Sequence, residues 1–330
     1  MSCYANYLLV KELCNDDVYI ENLVYKIDRK DVGFNQWNGF ELESVFGIKF
    51  RNILDYVDDE KMLIRKMEDE YYHSSGQNNS HSALMALKEC GIRVESAGVF
   101  QQESDEDSLA LKIKHKIRRG VVFSSNHRIS YKFKKAAFNI LRNTRSYNKP
   151  EYYCQEGNIF YPLSFDVMKD IHLLSRIESK LKESLLFSPF TEDKNIELSK
   201  IIVNTQSVSI HARRTDFLQY NNDCYEYGYF KRAVSYIKKS IKDPVFFVFS
   251  EDCEWCKANK DTLGLSETDQ VFFVDWNQDE KSFRDMQLMS LCKHNIITKS
   301  SFGWWAAFLN SNPDKIIVSQ VSEYYSKVYL

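Results

Sequence analysis

The feature that most constrains the fold is a regular alternation of apolar runs and amphipathic segments between residues 200 and 330. The apolar runs predict five strands, at 207–211, 245–249, 271–274, 294–298 and 315–318. Helical spacing of apolar residues predicts helices at 229–237, 282–292 and 302–309, and Ser250–Asp252 is expected to begin another. This alternation is typical of an α/β protein with a parallel, Rossmann-like sheet.

The first 190 residues are less regular. Apolar spacing predicts helices at 7–13 and 171–186 and a strand at 18–23, and the segment 187–196 is the best candidate for a linker. A chain of 330 residues suits two domains. We therefore expect one domain at 1–190 and a second at 191–330.

Composition excludes several classes of protein. The net charge of −2 argues against a general nucleic-acid binder. No apolar run approaches the roughly 20 residues that a bilayer crossing needs. The N-terminal segment has a short apolar core without a basic stretch before it, so it does not resemble a signal peptide. We therefore expect a cytoplasmic protein whose eight cysteines are reduced thiols.

Charge is concentrated in one segment. Residues 112–149 contain twelve Lys or Arg side chains and no Asp or Glu. Such a segment can attract an anionic membrane surface or a phosphate-bearing substrate. It can equally form a solvated face interleaved with core aromatic residues, and the sequence leaves both interpretations open.

Polar side chains follow four of the predicted strands. Two adjacent arginines, Arg213 and Arg214, follow the first strand, and the other groups are Ser250–Asp252, Asp275 with Asn277, and Lys299–Ser301. In open α/β sheets, ligands bind beyond the carboxyl ends of the strands. The planar arginine fork matches phosphate, and a helix N-terminus offers backbone N–H groups to an anion. We therefore expect a site that holds a diphosphate without a metal ion.

Three other motifs carry weaker signals. Asp105-Glu106-Asp107 fits the Asp-x-Asp pattern of metal-dependent glycosyltransferases, although an acidic solvated loop is the simpler interpretation. Cys253 and Cys256 form a Cys-x-x-Cys pair that lacks an obvious second ligand pair for zinc. Trp304-Trp305 is more typical of a helix core than of a ligand-stacking surface.

The sequence resembles a known enzyme family at several places. His211-Ala-Arg213-Arg214-Thr-Asp216 matches the His-x-Arg-Arg-x-Asp motif of GDP-fucose-dependent fucosyltransferases. Four further segments are similar to the α1,2-fucosyltransferase family, at 40–48, 245–252, 285–297 and 300–310. Thr215 stands where that family usually has glycine, and Phe217 where it usually has tyrosine. The family usually opens with a strand and a glycine-rich loop, and this sequence begins at about the helix that should follow them, 1–14.

The resemblance implies two Rossmann-like domains facing a cleft, the glycosyltransferase B architecture. Residues 1–190, without their first strand, would bind a glycan acceptor, and residues 191–330 would bind GDP-β-L-fucose. The implied reaction is an inverting transfer of L-fucose to a glycan hydroxyl, expected to be the 2-hydroxyl of galactose, with no cofactor and no metal. The acceptor can be a lipid-linked precursor of a bacterial surface polysaccharide such as O-antigen. In that case the basic segment 112–149 would hold the enzyme at the inner face of the membrane.

The resemblance also implies roles for single residues. Arg213 and Arg214 would stabilise the leaving diphosphate. Asp216 and His211 are both candidates for the base that takes the acceptor proton, and either can instead orient the arginines. The expected donor-binding residues are Ser250, Glu251, Asp252, Asp275, Asn277, Asp285, Ser300, Ser301 and Phe302.

Three alternatives stay open at this point, one of them a metal-dependent glycosyltransferase that uses Asp105-Glu106-Asp107. The chain can be a non-catalytic nucleotide-sugar or glycan-binding module of the same fold, or a fucosyltransferase that makes another linkage. Titration with GDP-fucose, followed by a turnover assay, separates binding from catalysis. A metal-dependent enzyme that uses Asp105-Glu106-Asp107 would lose activity in EDTA.

Overall fold

The computed structural model describes residues 1–13, 17–27, 40–73, 79–97, 159–162, 167, 171–218 and 222–320. The chain divides into two compact units, one formed by residues 1–56 with 166–330 and the other by residues 57–165. The boundary expected at 190/191 falls within the first unit, and the assignment of 1–190 and 191–330 to acceptor and donor remains a prediction. The basic segment 112–149 and the Asp105–Asp107 motif lie outside the described residues.

The described helices and strands are numbered here in chain order. The helices are α1 (Ser2–Leu13), α2 (Leu42–Phe46), α3 (Glu60–His73), α4 (Asn79–Glu89), α5 (Ile171–Ser184), α6 (Asp193–Asn204), α7 (Asp223–Glu226), α8 (Tyr229–Ser240), α9 (Cys253–Ala258), α10 (Phe283–Leu291) and α11 (Ser301–Leu309). The strands are β1 (Val94–Ala97), β2 (Ile159–Pro162), β3 (Gln206–His211), β4 (Pro244–Phe249), β5 (Val271–Val274), β6 (His294–Ile297) and β7 (Ile317–Ser319). The five strands predicted after residue 200 are thus confirmed.

The larger unit is built on a parallel sheet with the order β5-β4-β3-β6-β7. The chain runs outward from β3 through β4 to β5, then returns to the other side of β3 for β6 and β7. This reversal of direction between β3 and β6 is the topological switch point of a Rossmann-like sheet, the place where such sheets generally form a crevice at the carboxyl ends of their strands. The sequence-based expectation of a parallel, Rossmann-like sheet is confirmed.

The two faces of the sheet are covered in different ways. On one face, Val208 and Ile210 of β3 pack with Phe246 of β4 and with the apolar face of α8, which includes Phe230 and Val234. Because side chains alternate along a strand, Ser209 and Asn295 point to the opposite face. There the Asn295 side-chain amide donates to Ser209 Oγ at 2.8 Å and to the Met289 carbonyl of α10 at 2.9 Å. Buried hydrogen bonds therefore fasten α10 to the sheet.

The N-terminal elements differ from the sequence-based expectations. Helix α1 begins at Ser2 instead of Tyr7 and packs on α5. The prediction of a strand at 18–23 is wrong. Ile20 forms only an isolated bridge with Asn52, and a 3₁₀ turn follows at Leu23–Tyr25. The Asn22 side chain accepts a hydrogen bond from the Asn52 amide at 2.7 Å, a side-chain contact in place of a ladder.

The segment expected to be a linker is attached to the larger unit. Helix α6 begins at Asp193, inside the expected linker. The guanidinium of Arg284, a buried residue of α10, donates to the Ser188 carbonyl at 2.8 Å and to the Pro189 carbonyl at 3.1 Å. A buried guanidinium requires acceptors, and these carbonyls supply them. The interaction therefore holds residues 188–189 against α10.

In the smaller unit, the described residues include two packed helices and a pair of strands. The helices α3 and α4 contact each other, and Leu63, Met67 and Tyr71 form the buried face of α3 at helical spacing. Strands β1 and β2 pair in parallel with Val94 opposite Ile159. Within the described ranges of the whole chain, we find no helix that combines the length and the apolar character needed to cross a bilayer.

Two glycines allow a test of local packing. Gly264 has φ +78°, and a Cβ built there would lie 2.7 Å from the Lys231 Cα, whereas Gly47 has φ +65° and open space around it. We expect Gly47→Ala to destabilise the fold by about 1 kcal/mol, the cost of left-handed backbone. Gly264→Ala should cost about 2–4 kcal/mol because the backbone of α8 must also move. Urea unfolding followed by tryptophan fluorescence measures both, and equal losses would contradict the packing argument.

Candidate active site

The exits of β3 and β4 are joined by hydrogen bonds. The Ala212 N–H donates to the Phe249 carbonyl at 2.9 Å, and Ser250 Oγ donates to the Ala212 carbonyl at 2.7 Å. The two chains therefore leave the sheet side by side. This brings the double arginine next to Ser250–Asp252, as the sequence predicts.

Arg214 is held on all sides by protein groups. Its Nε donates to Asp252 Oδ2 at 2.9 Å, and its backbone N–H donates to Glu251 Oε1 at 2.6 Å. The guanidinium carbon lies 3.4 Å from the centre of the Trp255 ring and 5.0 Å from that of Tyr225. Stacking on aromatic faces suits a planar guanidinium. The result is a fixed cation whose side chain is 10% exposed.

Arg213 lies closer to solvent than Arg214. Its side chain is 26% exposed, and its Nε lies 3.8 Å from Glu251 Oε1. Its carbonyl accepts a hydrogen bond from the Tyr225 hydroxyl at 2.7 Å, which anchors the backbone on the other side. Arg213 thus combines a fixed backbone with a guanidinium that is accessible to a ligand.

His211, the last residue of β3, lies against the start of α11. The His211 ring is 5.5 Å from the Phe302 ring, and a Cβ placed on Gly303 would lie 2.7 Å from His211 Nδ1. Among the described residues, none forms a hydrogen bond with this buried Nδ1. Burial and, secondarily, the Arg213 charge lower the His211 pKa to about 3. The imidazole is therefore neutral at physiological pH.

The N-terminus of α11 is a place where an anion can bind. Ser300 occupies the N-cap position, and its side chain does not cap a backbone N–H group. The N–H groups of the first helical turn have no partner within the helix, and the helix dipole is positive there. Ser301 is exposed and Phe302 is partly exposed, so the first turn is accessible from solvent.

A second group of candidate residues lies at the end of β5. Asn277 Nδ2 donates to Asp285 Oδ1 at 2.8 Å, and Asn277 exchanges side-chain hydrogen bonds with the buried Asn195 of α6. Burial raises the pKa of Asp285 to about 8, against the opposing effect of the Asn277 amide. Asp275 is separate in its contacts and pairs with Lys257 at 2.8 Å.

The structure places Asp216 in the 3₁₀ turn Thr215–Phe217, but the Asp216 side chain lies outside what the structure describes. Cys253 and Cys256 are buried, and burial raises the pKa of their thiols to about 12 and about 11. Such thiols are protonated and unreactive at neutral pH. Within the described ranges, we find no group of three His, Cys, Asp or Glu side chains that could hold a metal ion. Trp304 and Trp305 are buried in the core.

Sequence reasoning missed three residues that shape the site. Trp255 and Tyr225 stack on Arg214, and Asn195 orients Asn277. Trp255 lies three residues after Asp252, on the helix that the sequence predicts. Its spacing from Asp252 could therefore have shown that it lies near the site. Asn195 had no such signal, because it lies in the segment interpreted as a linker.

Known proteins resemble this chain over part of its length. The model of glycosyl transferase family 11 matches residues 75–328. An alpha-1,2-colitosyltransferase of Escherichia coli is 39% identical over 142 residues, which are 41% of this chain and 47% of that protein. The O-antigen biosynthesis glycosyltransferase WbnK of Escherichia coli is 33% identical over 132 residues, 38% of this chain and 42% of that protein. The human galactoside alpha-(1,2)-fucosyltransferase 1 is 36% identical over 107 residues, 31% of this chain and 28% of that protein.

The matched stretches thus span about half or less of the length of these relatives. The family match covers more than half of this chain and includes the double arginine, the β5 group and the start of α11. The chain therefore belongs to glycosyl transferase family 11, the α1,2-fucosyltransferase family.

Proposed function

We propose that this chain is an inverting, metal-independent glycosyltransferase that moves L-fucose from GDP-β-L-fucose to the 2-hydroxyl of a galactose in a glycan. One observation carries the proposal: the double arginine and the N-terminus of α11 follow the neighbouring strands β3 and β6, where the strand order reverses. Ligands of open α/β sheets bind at this place. The names of the relatives, a colitosyltransferase and galactoside fucosyltransferases acting at the 1,2 position, support the reaction class.

The leaving diphosphate sets the main demand on the site. Negative charge grows on it as the bond to the sugar breaks, and preorganised donors stabilise such charge in the transition state. Arg213 would bind it through an accessible guanidinium, while Arg214 would contribute a fixed positive charge behind it. Ser300, Ser301 and the first N–H groups of α11 would complete the contacts. Arginines and a helix N-terminus can supply this positive charge without a metal ion.

The acceptor hydroxyl must lose a proton as it attacks the anomeric carbon. Attack from the side opposite the diphosphate inverts that carbon, and a base must lie within hydrogen-bond reach of the hydroxyl. Because burial lowers the His211 pKa to about 3, its imidazole is a weak base. We therefore propose that His211 orients the arginines and that Asp216 is the base.

The polar group at the end of β5 would hold the nucleotide part of the donor. Asn277 is oriented by Asn195, and its amide is bonded to Asp285. A carboxyl whose pKa is about 8 is protonated at neutral pH, so it can donate a hydrogen bond as well as accept one. We propose that Asn277 and Asp285 contact the sugar-nucleotide donor directly. Asp275 would lie at the edge of this donor-binding group.

A glycan acceptor carried on a lipid would place the enzyme at a membrane. The name of one relative refers to O-antigen biosynthesis. We propose the same kind of role here, with the basic segment 112–149 binding the inner face of the membrane from the cytoplasm. Each Lys or Arg near an anionic bilayer contributes about 1 kcal/mol of attraction, which salt weakens.

A turnover assay tests the proposed reaction. GDP-fucose is offered with a soluble β-galactoside and, as a matched control, with the same galactoside lacking its 2-hydroxyl. We expect an α1,2-linked product from the first acceptor only, with an unchanged rate in EDTA. If the chain transfers sugar from a colitose nucleotide and not from GDP-fucose, the proposed donor is wrong. Binding of GDP-fucose without any transfer would favour a non-catalytic module, and a rate that requires Mn²⁺ or Mg²⁺ would overturn metal independence.

The two arginines should fail in different ways. We expect Arg213→Ala to lower kcat/KM by a factor that corresponds to about 3–4 kcal/mol of lost transition-state stabilisation, by analogy with the loss of one oxyanion-hole donor. The stability of this variant should not change. Arg214→Ala should lose comparable activity and also about 2 kcal/mol of stability, because it leaves Asp252 unpaired and the Trp255 face uncovered. Arg232→Ala on the exposed face of α8 is the control. An Arg213→Ala enzyme that keeps more than about a tenth of wild-type kcat/KM would show that the residue is wrongly assigned.

Membrane attachment should depend on the basic segment. We expect the wild-type chain to sediment with anionic vesicles at low salt, and the triple reversal of Lys132, Lys134 and Lys135 to Glu to weaken this binding. Turnover on the soluble galactoside should change little, because those lysines serve delivery and not chemistry. No vesicle binding at low salt, or an equal loss of soluble turnover, would contradict the role.

A further inference from the structure

The turn that carries the arginines is strained. Thr215 has φ +30°, in the left-handed region that β-branched residues rarely adopt. Arg214 before it has φ −123° and ψ −125°, which also lies outside the helical and extended regions. Glycine at this position would avoid the strain at Thr215. Strained backbone persists only where surrounding contacts over-determine it.

Glu251 makes contacts that can hold this turn. One carboxylate oxygen, Oε1, accepts from the Arg214 N–H at 2.6 Å and from Thr215 Oγ1 at 3.0 Å. The same oxygen lies 3.8 Å from Arg213 Nε. Its neighbour Ser250 is bonded to the Ala212 carbonyl, so the carboxylate extends from a fixed backbone. One side chain from the end of β4 therefore contacts three consecutive residues after β3.

We propose that Glu251 is a positioning residue that holds the strained turn at Thr215 and thereby orients both arginines toward the diphosphate. This inference rests on the proposed function. It differs from direct donor binding, because a carboxylate beside a diphosphate repels it. The charge of Glu251 thus opposes ligand binding, while its hydrogen bonds favour binding by preorganising the arginines.

These opposite effects separate two variants of Glu251. In Glu251→Gln the amide oxygen can still accept both hydrogen bonds, and the repulsive charge is gone. In Glu251→Ala the charge and the hydrogen bonds are both lost. A purely electrostatic role predicts that the two variants behave alike. A positioning role predicts that Gln is tolerated and Ala is not.

The first experiment measures GDP binding by isothermal titration calorimetry on full-length protein. We expect Glu251→Gln to bind GDP within about threefold of wild type and Glu251→Ala to bind about tenfold more weakly, the scale of a lost preorganising contact. Thermal unfolding of each variant checks that the protein is folded. Equal affinities for the Gln and Ala variants would overturn the inference. Wild-type protein that does not bind GDP at all would instead overturn the proposed function.

The second experiment asks whether Glu251 acts through Thr215. If it compensates backbone strain, adding Thr215→Gly to Glu251→Ala should restore about threefold or more of the lost affinity, because the turn then needs less support. No recovery in the double variant would count against the mechanism. The rescue is a readout that simple loss of stability would not produce in folded protein.

Thr215 also offers a matched pair that does not depend on the Ala variant folding. Thr215→Ser keeps the hydroxyl that bonds Glu251, whereas Thr215→Val keeps the branched shape and removes the hydroxyl. We expect Thr215→Ser to retain the affinity for GDP and the kcat of fucose transfer, and Thr215→Val to lose both. Equal behaviour of Ser and Val would show that the hydrogen bond to Glu251 does not position the arginines.

Discussion

Strand β3 is paired on both sides, with β4 through six residue pairs and with β6 through three, and the candidate site depends on this central position. A strand between two parallel neighbours has no exposed edge, so its residues are fixed along their length. Its last residue, His211, and the arginines that follow therefore emerge at a defined height beside both neighbours. The carboxylates after β4 accept hydrogen bonds from this turn, and the first turn of α11 lies against His211, because β4 and β6 flank β3.

Beyond the last ladder bond, side chains take over from backbone pairing. Tyr225 holds the Arg213 carbonyl, and Glu251 holds the Arg214 N–H. Asp252 and Trp255 then fix the Arg214 guanidinium from the edge and from the face. A polar turn in this position would otherwise rely on water for its hydrogen bonds. Supplying them from the protein leaves the arginines oriented before any ligand arrives.

Much of this arrangement is readable from the sequence, and the reason is periodicity. The runs at β4 and β5 are continuous and apolar, β3 alternates serine with valine and isoleucine, and α8 repeats its apolar residues at helical spacing, so local pattern and global fold agree. The parallel topology then brings the polar strand ends together. The sequence therefore predicts that the double arginine and Ser250–Asp252 lie together.

What the sequence did not reveal arises from contacts between distant segments. The stacking of Arg214 on Tyr225 and Trp255 joins three elements, and no local pattern marks such a contact. Residues 1–56 join 166–330 in one unit through packing such as that of α1 on α5, which a boundary search along the chain misses. Asn195 lies in the segment 187–196 that the sequence predicts to be a linker, whereas its burial comes from α6 packing on α10.

Burial also determines where charge resides in the site. The pKa of His211 is lowered from 6.5 to about 3, so the unfolded state binds the proton first and stability is lost as pH falls through this range. The pKa of Asp285 is raised from 3.8 to about 8, so its contribution to stability is present at low pH and is lost as pH rises toward 8. Between about pH 3 and pH 8 both side chains are therefore uncharged in the folded protein. The positive charge that a diphosphate would need then comes from Arg213 and Arg214, and the carboxylates of Glu251 and Asp252 after β4 lie beside it with opposite sign.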